Sequence, residues 1–271
     1  KDEIQAGLDG RNAGIPMGFN RLDKYIGLRK RIFTTVFGGT GTGKTAYVHN
    51  AYILQPFDYL QSVKNSNMKM KVILFSMERS KIYTLTKWLS RKIFLSEGIL
   101  IPIPKLLGWW DVKLTKNEHD LVLQFEDYIN ELSEFVDIIE GANNPTGIYR
   151  YVKNYAEKNG KFEKINEFST VYIPNESNEL VIPIIDHYGL TKPEKGMSKK
   201  EAIDKVSEYC QYFRDVLAYS PVGVSQINRD LSSFMTKNIT SFEPTLDHIK
   251  ESGRPAEDSD VVISLFQPSR Y

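Results

Sequence analysis

The sequence predicts an α/β fold, with a mainly parallel central sheet flanked by helices. Three observations carry that prediction. Strand-like apolar runs at 32–37, 71–76, 135–139, 180–185, 222–225 and 261–266 alternate with helical patterns, as expected of strands joined by helical crossovers. A glycine-rich stretch, FGGTGTGKT, separates the first run from a helix-like one, AYVHNAYILQ. Finally, 271 residues with 41% hydrophobic and 25% charged side chains can bury the core such a sheet needs.

The first strand, RIFTTVF, leads into G-x-x-x-x-G-K-T across Gly38, Gly43, Lys44 and Thr45. A loop of this kind, here Gly38, Gly39, Thr40, Gly41, Thr42 and Gly43, cradles nucleotide phosphates with backbone N–H groups. Lys44 would reach the β- and γ-phosphates, and the Thr45 hydroxyl would ligate Mg²⁺. The second strand, in KVILFSMERS, ends near Glu78, a carboxylate placed to polarise an attacking water as general base. Next comes a helix over TKNEHDLVLQFEDYINEL, opened by a capping box of Thr115 and Glu118.

A further helix, NPTGIYRYVKNYAEKNG, starts at an Asn-Pro pair, and Gly160 stands as its C-terminal cap. The polar segment GKFEKINEFSTVYIPNESNE reads as a small β insertion. The strand in ELVIPIIDHYG ends at Asp186, a second group for the metal, with Pro183 conflicting with a central strand. A bulge or a break in pairing would accommodate that proline. SKKEAIDKVSEYCQYFRDVLA has a capping box of Ser198 and Glu201 and places Ile203, Val206, Cys210, Phe213 and Leu217 on one face. The strand in PVGVSQINRD ends at Gln226, an amide able to sense the terminal phosphate. The long loop that follows, from Arg229 to Arg254, has a length more often functional than not.

Net charge is +1, so any nucleic-acid surface must be local. HYGLTKPEKGMSKK offers one, with Lys192, Lys195, Lys199 and Lys200 against Glu194; the same charges also suit a solvated helix start. Cys210 is the single cysteine, which excludes an internal disulfide framework and fits a reducing cytoplasm. His49, His119, His187 and His248 show no metal spacing. Trp109 and Trp110 suit either a sheet edge or a subunit contact. GILIPIPKLLGWW, interrupted by prolines and a lysine, is too short to span a bilayer.

At these positions the sequence resembles the replicative hexameric DNA helicases typified by DnaB, in their RecA-like motor domain. GIPMGFNRLDKYIGL is similar to the family's G-I-P-T-G-F-x-x-L-D opening, and ILFSMERS to its S-L-E-M strand end. IIDHYGL resembles I-D-Y-L-Q-L; VSQINRDL and PTLDHIKESGRPAEDSDVVISLF resemble S-Q-L-N-R, then L-R-E-S-G, then D-A-D-V-V. The resemblance covers 14–271, with 1–13 as the end of an inter-domain linker.

The resemblance implies ATP-driven translocation on single-stranded DNA by a homo-oligomeric ring, with ATP and Mg²⁺ between neighbouring subunits. Lys44 and Thr45 would bind phosphate and metal, Asp186 would orient the metal, Glu78 would be the base and Gln226 the γ-phosphate sensor. Lys250, Glu251 and Gly253 match the family's DNA-contacting loop, with Lys250 in place of arginine. Primase and a helicase loader would be partners, a membrane would not, and the setting would be cytoplasmic. Other departures are His187 and Tyr188 after the metal aspartate, Arg79 after the base, and Arg31 where glycine is usual. The family's collar domain and trans-acting Lys-x-Arg finger are expected outside this stretch of sequence. Two other readings stay open: a RecA-class repair or recombination ATPase, and a non-catalytic scaffold built on such a domain.

Overall fold

Each of the six apolar runs forms a strand, and together they make one parallel sheet. The strands in chain order are β1 (Thr34–Gly38), β2 (Lys69–Ser76), β3 (Val136–Ile139), β4 (Gly160–Asn166), β5 (Ser169–Pro174), β6 (Glu179–Asp186), β7 (Val222–Gln226) and β8 (Val261–Leu265). The computed structural model describes residues 5, 8, 14–63, 68–141, 143–167, 169–227, 249 and 252–267. The sheet order is β3-β2-β6-β7-β1-β8, and every pairing in it is parallel. β4 and β5 form a separate antiparallel hairpin, the insertion the polar segment predicts.

Alternation along the strands builds two hydrophobic layers. On one face Val36, Val72, Leu74, Ile182 and Val224 pack together. The other face gathers Phe33, Ile73, Phe75, Val181 and Ile185. Successive side chains of a strand point to opposite faces, so a central strand reads as a continuous apolar run. Each such side chain, fully buried, contributes about 1.5–3 kcal/mol.

The first face is covered by α1 (Lys44–His49), which continues through a π-helical turn (Asn50–Leu54) into α2 (Gln55–Ser62). On the same face lie Trp88 of α3 (Lys81–Glu97) and, beyond the short α4 (Ile103–Leu106) and α5 (Lys116–Leu123), Leu132 of α6 (Glu126–Phe135). The second face is covered by α7 (Pro145–Lys158) and α8 (Lys199–Asp215). Ile203, Val206, Cys210, Phe213 and Leu217 are all buried. Both capping boxes are present, at Thr115–Glu118 and Ser198–Glu201. The last elements are α9 (Arg254–Glu257) and β8.

The stretch expected to be one helix after Thr115 is two, divided at Gln124 and Phe125. Gly160 is not a helix cap. α7 ends at Lys158, and Gly160 opens β4, where a β-carbon would lie 2.5 Å from the Tyr172 ring. Pro183 sits opposite Ile73 in an uninterrupted β2–β6 register. Because Ser220 N–H donates to the Val181 carbonyl, the alternate residue Pro183 faces β7, whose pairing with β6 begins only at Ile184. Its missing N–H therefore removes no bond from the β2 ladder. Arg31 adopts φ +62°, the left-handed region that explains why glycine suits this turn.

Trp109 and Trp110 do not pack the sheet edge. Trp109 stacks on Tyr83, with ring centroids 6.4 Å apart, and Trp110 is 79% exposed. Among the described residues no helix is long and apolar enough to cross a membrane.

Candidate active site

The C-terminal ends of β1, β2, β6 and β7 converge on one cleft of about 390 Å³. It is lined by the phosphate-loop residues Thr40, Gly41, Gly43, Lys44 and Thr45 together with Glu78, Asp186 and Gln226. Ligands of open parallel sheets bind at this edge, outside the carboxyl ends of the strands.

The loop's glycines have distinct reasons. A β-carbon on Gly38 would lie 2.5 Å from the Leu265 carbonyl oxygen of the neighbouring strand. Gly41 and Gly43 have φ of +75° and +89°, values that side-chain-bearing residues rarely adopt. Thr42 closes the turn, donating from both its N–H (3.3 Å) and its hydroxyl (2.9 Å) to the Gly39 carbonyl. Gly43 is the N-cap of α1 and has no side chain to satisfy the first-turn N–H groups. Those donors, with the helix dipole behind them, suit an anion.

Lys44 folds back over the loop, its ammonium donating to the Gly38 carbonyl (2.9 Å) and the Gly39 carbonyl (2.7 Å). Burial pushes its pKa down to about 8, against the opposing pull of the Asp186 and Glu78 carboxylates. Asp186 accepts a 3.3 Å hydrogen bond from the Thr45 hydroxyl. Its carboxyl is pushed up to about 6 by burial, which outweighs the Thr45 bond and the nearby lysines. Glu78 differs in character. Its side chain is about half exposed, with the Arg79 guanidinium 3.8 Å away. The Gln226 amide nitrogen lies 3.2 Å from His187 Nε2.

His49, which the sequence offers only as a histidine without metal spacing, also reaches this site. It is buried, its Nδ1 accepts from the Trp88 indole N–H at 3.2 Å, and its Nε2 lies 3.8 Å from Asp186 Oδ2. Burial pulls the imidazole pKa down to about 3, so this contact is between a neutral ring and a carboxylate rather than an ion pair. Thr45 and His49 stand four apart, which stacks them on one helix face, but that spacing alone does not single His49 out. Lys87 of α3 also lines the cleft.

The residues expected from the sequence to form a DNA surface are distributed otherwise. Lys192, Lys195, Lys199 and Lys200 lie in or just after the segment following β6. That segment is tethered by Lys192 N–H to the Asn143 carbonyl (2.6 Å) and by Glu194 to the Thr146 N–H (2.7 Å). The Lys199 ammonium turns inward to the Thr191 carbonyl at 2.5 Å. Gly253 is the N-cap of α9, and neighbouring Ser252 hydrogen-bonds Asp204 of α8. Ile249 pairs with Ile227, the residue directly after Gln226. Lys250 and Glu251 lie outside the described residues.

This sheet order, with its phosphate-loop motif at the end of β1, gives the chain a RecA-like fold. Its fold is, more particularly, that of the RecA-like ATPase domains of DnaB-like helicases. One solved ATPase domain matches with a TM-score of 0.70 at 17% identity, covering 99% of this chain and 82% of that one. A DnaB-like replicative helicase, solved in a study of its interactions with primase, matches with a TM-score of 0.64 at 18% identity, over 95% of this chain and 54% of that one. A curated protein from Trieres chinensis, named "Probable replicative DNA helicase", is 20% identical over 262 residues. The alignment takes in 96% of this chain but 48% of that protein, so the chain spans about half the length of its curated relative. No protein-family model matches the chain.

Proposed function

We propose that residues 14–271 are the motor domain of an ATP-dependent DNA helicase, with 1–13 ending a linker to another domain. The domain would hydrolyse ATP at the interfaces of a homo-oligomeric hexameric ring, move on single-stranded DNA and unwind duplex during replication. The observation that carries this is the convergence of Lys44, Thr45, Glu78, Asp186 and Gln226 on one cleft. They come from four different strand ends, and each bears the group that phosphoryl transfer to water requires. The likeness to replicative helicases, rather than the cleft, points to DNA as the track.

The donor set fits a magnesium nucleotide. The Lys44 ammonium rests on two loop carbonyls, contacts that phosphate oxygens can replace, and Thr45 and Asp186 already share a hydrogen bond. When bound through these two residues, Mg²⁺ would neutralise charge on the β- and γ-phosphates. The loop's N–H groups and Lys44 hold the phosphates, Glu78 accepts the proton of the attacking water, and Gln226 reports the terminal phosphate. Ile249, which pairs with the residue after Gln226, directly precedes Lys250, Glu251 and the nearby Gly253 in sequence, a link through which nucleotide state would reach DNA. Lys192, Lys195, Lys199 and Lys200 would contribute backbone contacts. Primase and a loader are proposed partners, in a cytoplasmic setting.

The test is ATP turnover by the full-length protein with and without single-stranded DNA, with particle images taken in ATP. DNA-stimulated turnover and six-membered rings are expected. Strand exchange without duplex unwinding would favour a recombination ATPase, and no turnover at all would favour a scaffold.

A further inference from the structure

Asp186 has two carboxylate oxygens, and the phosphate loop accounts for one of them. Oδ1 takes the Thr45 hydroxyl. Oδ2 lies 3.8 Å from His49 Nε2. The two side chains are each 8% exposed. His49 Nε2 is buried and has no hydrogen-bond partner, an uncommon state for a polar atom inside a folded protein.

The tautomer follows from Trp88. An indole N–H can only donate, and it donates to His49 Nδ1 at 3.2 Å. A neutral imidazole accepting at Nδ1 carries its proton on Nε2. The Trp88 ring also meets the imidazole edge-on, with centroids 5.3 Å apart and planes at 80°. Trp88 is itself 2% exposed, so a rigid indole fixes both the ring and its proton. At 3.8 Å the Nε2–H is beyond hydrogen-bond range of Oδ2, and an approach of roughly 1 Å would close the bond.

We propose that His49 is a positioning residue for Asp186: its Nε2–H, set by Trp88, holds Oδ2 so that the carboxylate presents one fixed face to a metal. Metal-binding carboxylates depend on such outer partners, which restrict rotation about the last side-chain bond. Thr45 and His49 lie on one face of α1 and would grip the two oxygens of Asp186 from adjacent turns. The inference rests on the nucleotide reading above and concerns only how its metal arm is held.

The test is a Mg²⁺ titration of the full-length protein with a fluorescent ATP analogue, reading binding rather than turnover, with the melting temperature taken without nucleotide. His49→Met, which keeps volume and removes the donor, should raise the Mg²⁺ half-saturation by about tenfold, the lower end for loss of an outer partner. Metal-free nucleotide affinity should not change. His49→Gln, whose amide reaches similarly, should restore most of the effect, and Trp88→Phe should give an intermediate shift. Unchanged half-saturation in His49→Met overturns the proposal, as does a Gln variant no better than Met, which would indicate packing alone. If His49→Met does not fold, Trp88→Phe decides, and an unchanged half-saturation there overturns it equally. Wild-type protein that binds the analogue with no Mg²⁺ dependence would overturn the nucleotide reading itself, a result distinct from any of these.

Discussion

The Tyr188 hydroxyl occupies the space that a side chain on Gly223 would need: a β-carbon there would lie 2.0 Å from the oxygen and 2.1 Å from the ring carbon bearing it. Tyr188 follows Asp186 by two residues, and Gly223 precedes Gln226 by three. The contact therefore keys the strand that ends in Asp186 to the strand that ends in Gln226. Tyr188 is 1% exposed and cannot swing away into solvent. Gly223→Ala should destabilise the domain by about 1–3 kcal/mol, as overpacking of a close-packed core does. Adding Tyr188→Leu should recover part of that loss, giving a favourable coupling in a double-mutant cycle. Urea unfolding measures it; a Gly223→Ala midpoint equal to wild type would show that the ring has somewhere else to go.

Glu78 and Lys44 should fail in different ways. Lys44 is buried in the loop it would vacate for phosphate, whereas Glu78 is half exposed and makes no hydrogen bond that orders α1. Glu78→Gln should retain nucleotide binding and lose about 10²–10⁴-fold in turnover, the range for a general base. Lys44→Ala should weaken binding itself. Equilibrium binding and steady-state turnover, measured on both variants, separate the two; normal turnover in Glu78→Gln would remove it as base.

The residues that meet in the cleft were legible because their signals are local. A strand followed by G-x-x-x-x-G-K-T, or an apolar run ending in Asp186, needs only neighbours in sequence to be recognised. The six core strands were legible for the same reason, since burial on both faces leaves a continuous apolar run. His49 was not, because its meaning depends on Trp88, thirty-nine positions away. Gly160 was misread because a glycine after a helix suits a cap, and the ring that excludes a side chain there comes from Tyr172 across the hairpin. The helix break at Phe125 fell inside an unbroken polar–apolar pattern. For His49 and Gly160, what the sequence hid was a contact between distant segments.

Single-stranded DNA binding should weaken with salt, each neutralised phosphate adding about −0.7 to the slope of log K against log salt. The four lysines after β6 should not contribute equally. The Lys199 ammonium is committed to the Thr191 carbonyl, so Lys199→Ala should loosen that segment while changing the slope less than Lys200→Ala. Lys250→Ala should flatten the slope and weaken all sequences alike. Fluorescence-anisotropy titrations over a salt series give the slopes. Equal slopes for wild type, Lys200→Ala and Lys250→Ala would mean that neither lysine meets a phosphate.

Nucleotide affinity should be bounded by pH on both sides, with signs set by two buried groups. Burial holds Lys44 at about 8 in the free protein, and phosphate oxygens beside the ammonium would raise that value in the complex. Below about 8 Lys44 is charged in both states and contributes no pH dependence. Above about 8 the free site has lost its proton and binding must take one up, so affinity falls by up to about tenfold per pH unit. On the acid side Asp186 sits at about 6 in the free protein, and a bound cation would lower it. Below about 6, metal binding must expel a proton, so Mg²⁺-dependent affinity falls as pH falls. Binding should thus be tightest between about 6 and 8. Calorimetry in two buffers of different ionisation enthalpy counts the protons directly: near zero at about pH 7, approaching one taken up at about pH 9. Lys44→Ala should abolish the alkaline arm and leave the acid one. An alkaline arm that survives in Lys44→Ala would place the titrating group elsewhere in the cleft.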